Sequence, residues 1–256
     1  MKSSFKNKNM LFIAVRLKSS RLKKKALKNL HNYPLLQRLV ERIETVFCKS
    51  KIVICTSVNK EDDDLQFLAK KLKIHCFRGS ELDVMKRFID AASRFNVRTI
   101  ARITGDNPLT DPIMLKYMFE IHEKNELEYT YNDDLPIGTR SEIINVKALH
   151  RIHDQIYDPN QSEYMTYMLK RPDKMNILEV PSFFNKCKRP EISLTVDNTK
   201  DLKLIRKIYD HFQGSPPSLQ EILEYLDKNP KLKIIHNANV EQHKIKKEFS
   251  YKDDSI

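Results

Sequence analysis

Short apolar runs alternate with helical periods over the first half of this chain, and that rhythm leaves few folds open. "MLFIAV" (10–15), "KIVICTS" (51–57), "IHCF" (74–77) and "TIARIT" (99–104) read as buried strands. Between and after them, 34–47, 63–73, 81–95 and 111–124 repeat apolar residues at helical spacing. In 34–47 the stripe is Leu35, Leu36, Leu39, Val40, Ile43 and Phe47, with Pro34 suited to a first turn. A βαβα order predicts an α/β fold with a mostly parallel sheet and helices on both faces.

After residue 125 the rhythm loosens. "EYTYN" (128–132) and "RSEIINV" (140–146) flank "DDLPIG", an expected hairpin or loop. Then come a helix at 162–171, strand-like runs at 175–180 and 192–197, and helices at 199–212 and 218–228. The expectation is one domain over 1–235, with an inserted strand or hairpin substructure at about 125–190 and a frayed tail at 236–256. With 40% apolar residues the chain can bury a core, and it has no run of about 18 apolar residues, so no membrane span is expected. The apolar run after the basic start is short and lacks a small-residue cleavage site, which fits a cytoplasmic protein. Cys48, Cys55, Cys76 and Cys187 form no CxxC pair and read as core thiols of a reducing compartment. His150 and His153 share a helix face without further partners at zinc-ligand spacing.

The net charge of +12 is concentrated at one end: residues 1–30 carry ten basic side chains and no acid, while the rest carries 36 basic and 34 acidic ones. Within "VRLKSSRLKKKALKNL" (15–30) seven of sixteen residues are basic. In open parallel sheets ligands bind beyond the carboxyl ends of the strands. Just after the predicted strands stand Arg16, Ser19, Ser20, Arg21 and Lys25, then Asn59, then Arg78 to Ser80, then Gly105-Asp106-Asn107, and finally Asp197. Arginine grips phosphate oxygens bidentately and lysine adds a compact charge. Carboxylates beside phosphates suit Mg²⁺. The set describes nucleotidyl transfer, in which positioning and charge neutralisation supply most of the catalysis.

Each element has a plainer structural reading. The lysines at 23–25 could be a solvated loop, Asp106 a turn aspartate, Asp197 and Asn198 a helix cap, and Glu142 and Glu163 surface acids. GxxxxGK[ST], GxGxxG and GxSxG are all absent, and only four glycines exist, so a glycine-rich phosphate cradle is disfavoured. A nucleic-acid-binding arm is the rival from another class. Residues 15–30 contain no aromatic side chain on which bases could stack.

The residues resemble those of the cytidylyltransferases of the CMP-Kdo synthetase and acylneuraminate cytidylyltransferase group, above all the spore coat polysaccharide biosynthesis protein F branch. The resemblance rests on "VRLKSSRLKKKAL", "FRGSELDVMKRF" (77–88), "ARITGDNPLTDP" (101–112), "SEYMTYM" (162–168) and "LTVDNTKDLKLIRKIY" (194–209). It implies a Rossmann-like fold, Mg²⁺-dependent use of CTP, release of pyrophosphate and a homodimer built through the inserted strands, with neither nucleic acid nor membrane as partner. By the same resemblance Arg16, Arg21 and Lys25 contact the triphosphate with Ser20 and loop amides, and Arg78 lies near the cytidine end. Asp106 and Asp197 hold magnesium, and Arg102, Glu142, Glu163 and Tyr164 line the acceptor side. The implied acceptor is a sugar acid for surface polysaccharide, or a phosphorylated or phosphonate compound giving a CDP-type product; an inactive nucleotide-binding relative is the further alternative. One departure stands out: Lys23-Lys24 replaces the Pro-Gly that such proteins carry before the lysine. That exchange adds charge and removes a stiff turn and a glycine, and it predicts a looser loop or a different mode of nucleotide binding.

Overall fold

The structure, a computed structural model, describes residues 9–234; the expected tail at 236–256 lies outside them. Seven strands form one sheet: β1 (Asn9–Ala14), β2 (Ile52–Ser57), β3 (His75–Gly79), β4 (Thr99–Thr104), β5 (Tyr129–Tyr131), β6 (Glu142–Asn145) and β7 (Ile177–Glu179). Their order across the sheet is β3-β2-β1-β4-β6-β5-β7. β1 runs parallel to β2 and β4, β2 to β3, and β5 to β7, while β6 lies antiparallel to both of its neighbours.

The apolar runs explain the centre. Every residue of β2 is buried, as expected of a strand covered on both faces. The pleat of β1 sends Leu11 and Ile13 into one helical layer and Phe12 into the other. The first layer holds α1 (Leu35–Glu44), α2 (Asp63–Leu72), α4 (Pro112–Lys124), α7 (Thr199–His211) and α8 (Leu219–Lys228). The second holds α3 (Val84–Phe95), α5 (Val146–Gln155) and α6 (Met165–Leu169), where Phe12 meets Phe88 edge to face at 5.6 Å. Side-chain oxygens start the helices: Asp83 accepts from the Lys86 amide at the head of α3, and Asp111 from Ile113 and Met114 at the head of α4.

The expected α/β architecture with helices on both faces is present, and β5 and β6 form the expected antiparallel insertion. Two expectations need correction, and one helix is added. The run 192–197 forms no regular strand among the described residues: it bridges from Ser193 to Ile137, and its amides bond Ile137, Asp106 and Ile234 in loops. The segment 162–171 is a 3-10 turn (Pro159–Tyr164) followed by the short α6. Helix α5, which the apolar periodicity did not announce, buries Ala148, Leu149 and Ile152 directly after β6. Of the cysteines, Cys55 and Cys187 are buried free thiols, Cys76 is half-buried and Cys48 is exposed. No helix among the described residues is long and apolar enough to cross a membrane.

Candidate active site

The basic segment is a pinned loop at the carboxyl end of β1. Leu17 and Ala26 plug it into the core, at 3% and 1% exposure. The Leu17 amide donates to Asp62 Oδ1 at 2.7 Å, and the Leu17 carbonyl accepts from the Lys24 amide at 3.3 Å, closing the loop on itself. Asp62, 2% exposed, also accepts from Thr56 Oγ1 at 2.8 Å and from the Ser57 amide and hydroxyl, so it fastens the loop to the end of β2. Burial acts to raise its pKa, but these hydrogen bonds outweigh burial and hold the carboxyl below the usual carboxylate range.

The three consecutive lysines divide their tasks. Lys23 is exposed, and Lys24 reaches the exposed Asp64 at 3.1 Å. Lys24 adopts left-handed backbone angles, φ 51° and ψ 37°, at the position where the resembling proteins carry glycine. The glycine-like turn is therefore kept at a conformational cost, and the expectation of a looser loop gives way to an anchored one. Only Lys25, opening a 3-10 turn (Lys25–Leu27), points into the rim, which corrects the solvated-loop reading for this residue.

Lys25 Nζ lies 2.6 Å from Asp106 Oδ2 and 3.1 Å from Asp197 Oδ1. Burial alone would lower the lysine pKa; the two carboxylates outweigh it, and the net shift is upward. Arg21 meets Asp197 at 2.9 Å from the solvent side. Two backbone features bring the carboxylates together. Gly105, whose amide donates to the Ala14 carbonyl, has no room for a side chain, since a Cβ there would come within 2.6 Å of Val15. The Val196 amide donates to the Asp106 carbonyl at 3.0 Å, drawing the two loops into one. The cap of α7 is Asn198, in a capping box with Asp201, so Asp197 is left to the rim and is not the cap. Two hard carboxylates converging on one cation suit Mg²⁺, which takes one or two acids and completes its shell with phosphate oxygens and water. Among the described residues no cluster of three or more His, Cys, Asp or Glu could hold a metal ion.

These groups line a cavity of about 650 Å³ that also takes in Arg16, Ser20 and Glu81. A second cavity of about 490 Å³ opens beside it towards β5 and β6, and Arg102 and Thr104 line both. Arg102 and Glu142 are direct cross-strand partners in the β4–β6 ladder. Their ion pair, 3.0 Å long, is joined by Thr166 Oγ1, which donates to Glu142 and accepts from Arg102. Burial alone would lower the arginine pKa, but Glu142 reverses this and the guanidinium stays charged. At 9% exposure Glu142 is a wall of the site and no surface acid. Across the second cavity Lys170 packs 4.1 Å over the Tyr131 ring and pairs with Asp133, which Arg140 also approaches at 3.4 Å.

The structure thus gathers Arg16, Ser20, Arg21, Lys25, Asp106 and Asp197 around one cavity and sets Arg102 and Glu142 on its border with the next. Arg78 is outside both: it donates to the Ser57 and Asn59 carbonyls and pairs with Asp63 at 2.6 Å. Glu163 and Tyr164 fall on the 3-10 turn, and their side chains lie outside the described residues. Asp62, Glu81, Arg140, Thr166 and Lys170 escaped the reading of the sequence. Of these only Glu81 follows a strand closely enough for position alone to have flagged it.

The strand order and rim chemistry place the chain among the α/β nucleotidyltransferase-like folds. Residues 10–244 match the cytidylyltransferase family, and the chain belongs to that family. An uncharacterised protein of Methanocaldococcus jannaschii is 35% identical over 233 residues, covering 90% of this chain and 94% of that one. The spore coat polysaccharide biosynthesis protein SpsF of Bacillus subtilis is 31% identical over 233 residues, covering 88% and 96%. Among solved structures, a cytidylyltransferase from Leptospira borgpetersenii superposes with a TM-score of 0.82 at 26% identity, over 88% of this chain and 96% of that one. The synthetase of CMP-2-keto-3-deoxy-manno-octonic acid, solved with CTP, shares the fold at a TM-score of 0.61 and 15% identity, over 80% and 100%.

Proposed function

We propose that the protein transfers CMP from CTP to an anionic sugar-acid acceptor and releases pyrophosphate, supplying an activated precursor for surface polysaccharide. The observation that carries this is the pair of adjoining cavities with a common wall at Arg102 and Thr104. A triphosphate in the first sets its α-phosphorus near Asp106 and Arg102, within reach of an acceptor in the second. Arg16, Arg21 and Lys25 hold the β and γ phosphates that depart. The acceptor oxygen bonds to the α-phosphorus as the bond to the bridging oxygen of pyrophosphate breaks; that electron pair leaves with pyrophosphate, and the hydroxyl proton passes to water. Asp106 and Asp197 would hold Mg²⁺, whose chemistry when bound is to offset negative charge on the phosphates.

The acceptor cavity sets three cations, Arg102, Arg140 and Lys170, against two acids, Glu142 and Asp133, and this excess of one positive charge favours an acid over a neutral sugar. An eight- or nine-carbon 2-keto sugar acid is the leading candidate, and the polysaccharide role named for SpsF supports it. The protein acts as a homodimer in this reading, with the edge strand β7 and the exposed Leu178, Phe183 and Phe184 beside it as the natural contact. Because residues 15–30 carry no aromatic side chain on which bases could stack, the basic loop favours a nucleotide over a nucleic-acid strand. The test is pyrophosphate release with Mg²⁺, each of the four nucleoside triphosphates and a panel of sugar acids and phosphorylated acceptors. Release with CTP and one acceptor, lost in Asp106→Asn, is expected; no release with CTP and any acceptor overturns the proposal.

A further inference from the structure

We propose that Glu81 reads the base, accepting a hydrogen bond from the exocyclic amine of cytosine and excluding uracil. This deepens the CTP reading above and rests on it. Along the rim the strand order β3-β2-β1-β4 separates two ends of the nucleotide cavity. Lys25, Arg21 and Asp106 follow β1 and β4 and gather charge for phosphates. Glu81 follows β3, at the opposite end, and Val84, the first residue of α3, shares the cavity wall with it and with Ala14. Ala14 and Val84 offer apolar surface for the face of a base there, and Glu81, with Lys18 and Arg16 close to its carboxylate, a polar edge.

Three acids line this cavity: Asp106 and Asp197 pair with Lys25 and Arg21 on the phosphate side, and Glu81 pairs with Lys18 on the side of β3. Asn59 Nδ2 donates to Glu81 Oε2 at 2.7 Å, and Lys18 Nζ to its Oε1 at 3.1 Å. Those two bonds keep the carboxyl below its ordinary pKa, so it is ionised at neutral pH and can only accept. Cytosine presents an amine donor where uracil presents a carbonyl acceptor, and a carboxylate accepts from the first and repels the second. Arg78 acts one layer behind. It clamps the Ser57 and Asn59 carbonyls at 3.0 Å and 2.8 Å and so fixes the loop from which Asn59 aims Glu81. Its place near the cytidine end is that of a positioning residue, without contact to the cavity.

The experiment is calorimetric binding of CTP and of UTP, each with Mg²⁺, to the full chain and to Glu81→Gln, Glu81→Ala and Asn59→Ala; no acceptor is needed. The wild-type protein should prefer CTP, and Glu81→Gln should shrink the CTP-to-UTP ratio by about ten- to a hundredfold, mostly through weaker CTP binding. Asn59→Ala should shrink it less. Both Glu81 variants should keep the wild-type melting temperature, because the side chain sits at the rim. An unchanged ratio in Glu81→Gln and Glu81→Ala, or an equal loss for both nucleotides, overturns the assignment to Glu81 while leaving the CTP reading intact. A wild-type protein that binds neither nucleotide, or both alike, overturns the two together.

Discussion

Asp62→Asn should detach the phosphate loop without changing the shape of any side chain. The carboxylate takes donors on both oxygens: the Leu17 amide on Oδ1, and Thr56 with the Ser57 amide and hydroxyl on Oδ2. An asparagine must turn its NH₂ towards one of these sets, and the smaller loss is the single Leu17 bond. That bond joins a charged acceptor to a buried amide, and its loss strands the donor. A charge-assisted hydrogen bond contributes about 1.5–3 kcal/mol and an unsatisfied buried donor costs about 1–3 kcal/mol, overlapping terms that put the variant roughly 2–4 kcal/mol below wild type. For a domain of this size the melting temperature should fall on the order of 10 °C. Because Leu17 adjoins Arg16, CTP binding should weaken on the order of tenfold, with kcat less affected. The pH dependence carries a sign. The folded pKa lies below the ordinary value of 3.8, so this contribution is present above 3.8 and is lost as pH falls through the folded value. The gap between wild type and variant should hold between about pH 5 and pH 7 and close in acid. Urea denaturation across that range tests it; equal stabilities at neutral pH, or a gap that widens in acid, would refute the reasoning.

Two further substitutions probe the loop and the common wall. Lys24→Gly relieves left-handed backbone angles and loses one exposed ion pair with Asp64; since the strain costs about 1 kcal/mol and such a pair contributes less, thermal unfolding should show a gain of about 0.5–1 kcal/mol. A clear loss of stability would mean that the lysine is there for contacts and not in spite of its backbone. Arg102→Met leaves the buried Glu142 without its cation and should cost about 3–5 kcal/mol, while the double variant with Glu142→Gln should recover most of the stability without recovering the acceptor KM. Recovery of both would make the pair a structural element only.

Fold and site were legible to different depths. The βαβα core could be read because β1 and β2 are built on the continuous apolar runs "MLFIA" and "IVIC", β4 carries Ile100, Ala101 and Ile103, and the helices between them carry one apolar stripe each. The run 192–197 has the same composition, but its partners are loops, and composition cannot tell a ladder from a bridge. The basic loop, Asp106 and Asp197 could be found because topology places the residue after a parallel strand at the rim. Asp62 hides among the acids of "KEDDD", where the sequence gives no sign that one of them is buried and turned back to Leu17. Glu81 was read as the first residue of a helix; Asp83 caps α3 instead and leaves Glu81 outside it. Glu142 looked like a surface acid because its partner, Arg102, is forty residues away and meets it only through strand pairing.

The central claim is that the α-phosphorus of CTP moves to the acceptor. The direct measurement follows CTP labelled at the α-phosphate and, separately, at the γ-phosphate, with Mg²⁺ and the sugar acid that releases pyrophosphate, and identifies the products by mass. The account predicts the α label in a CMP-linked sugar acid and the γ label in pyrophosphate. Label from the γ position on the acceptor, or release of CDP and phosphate, would contradict it.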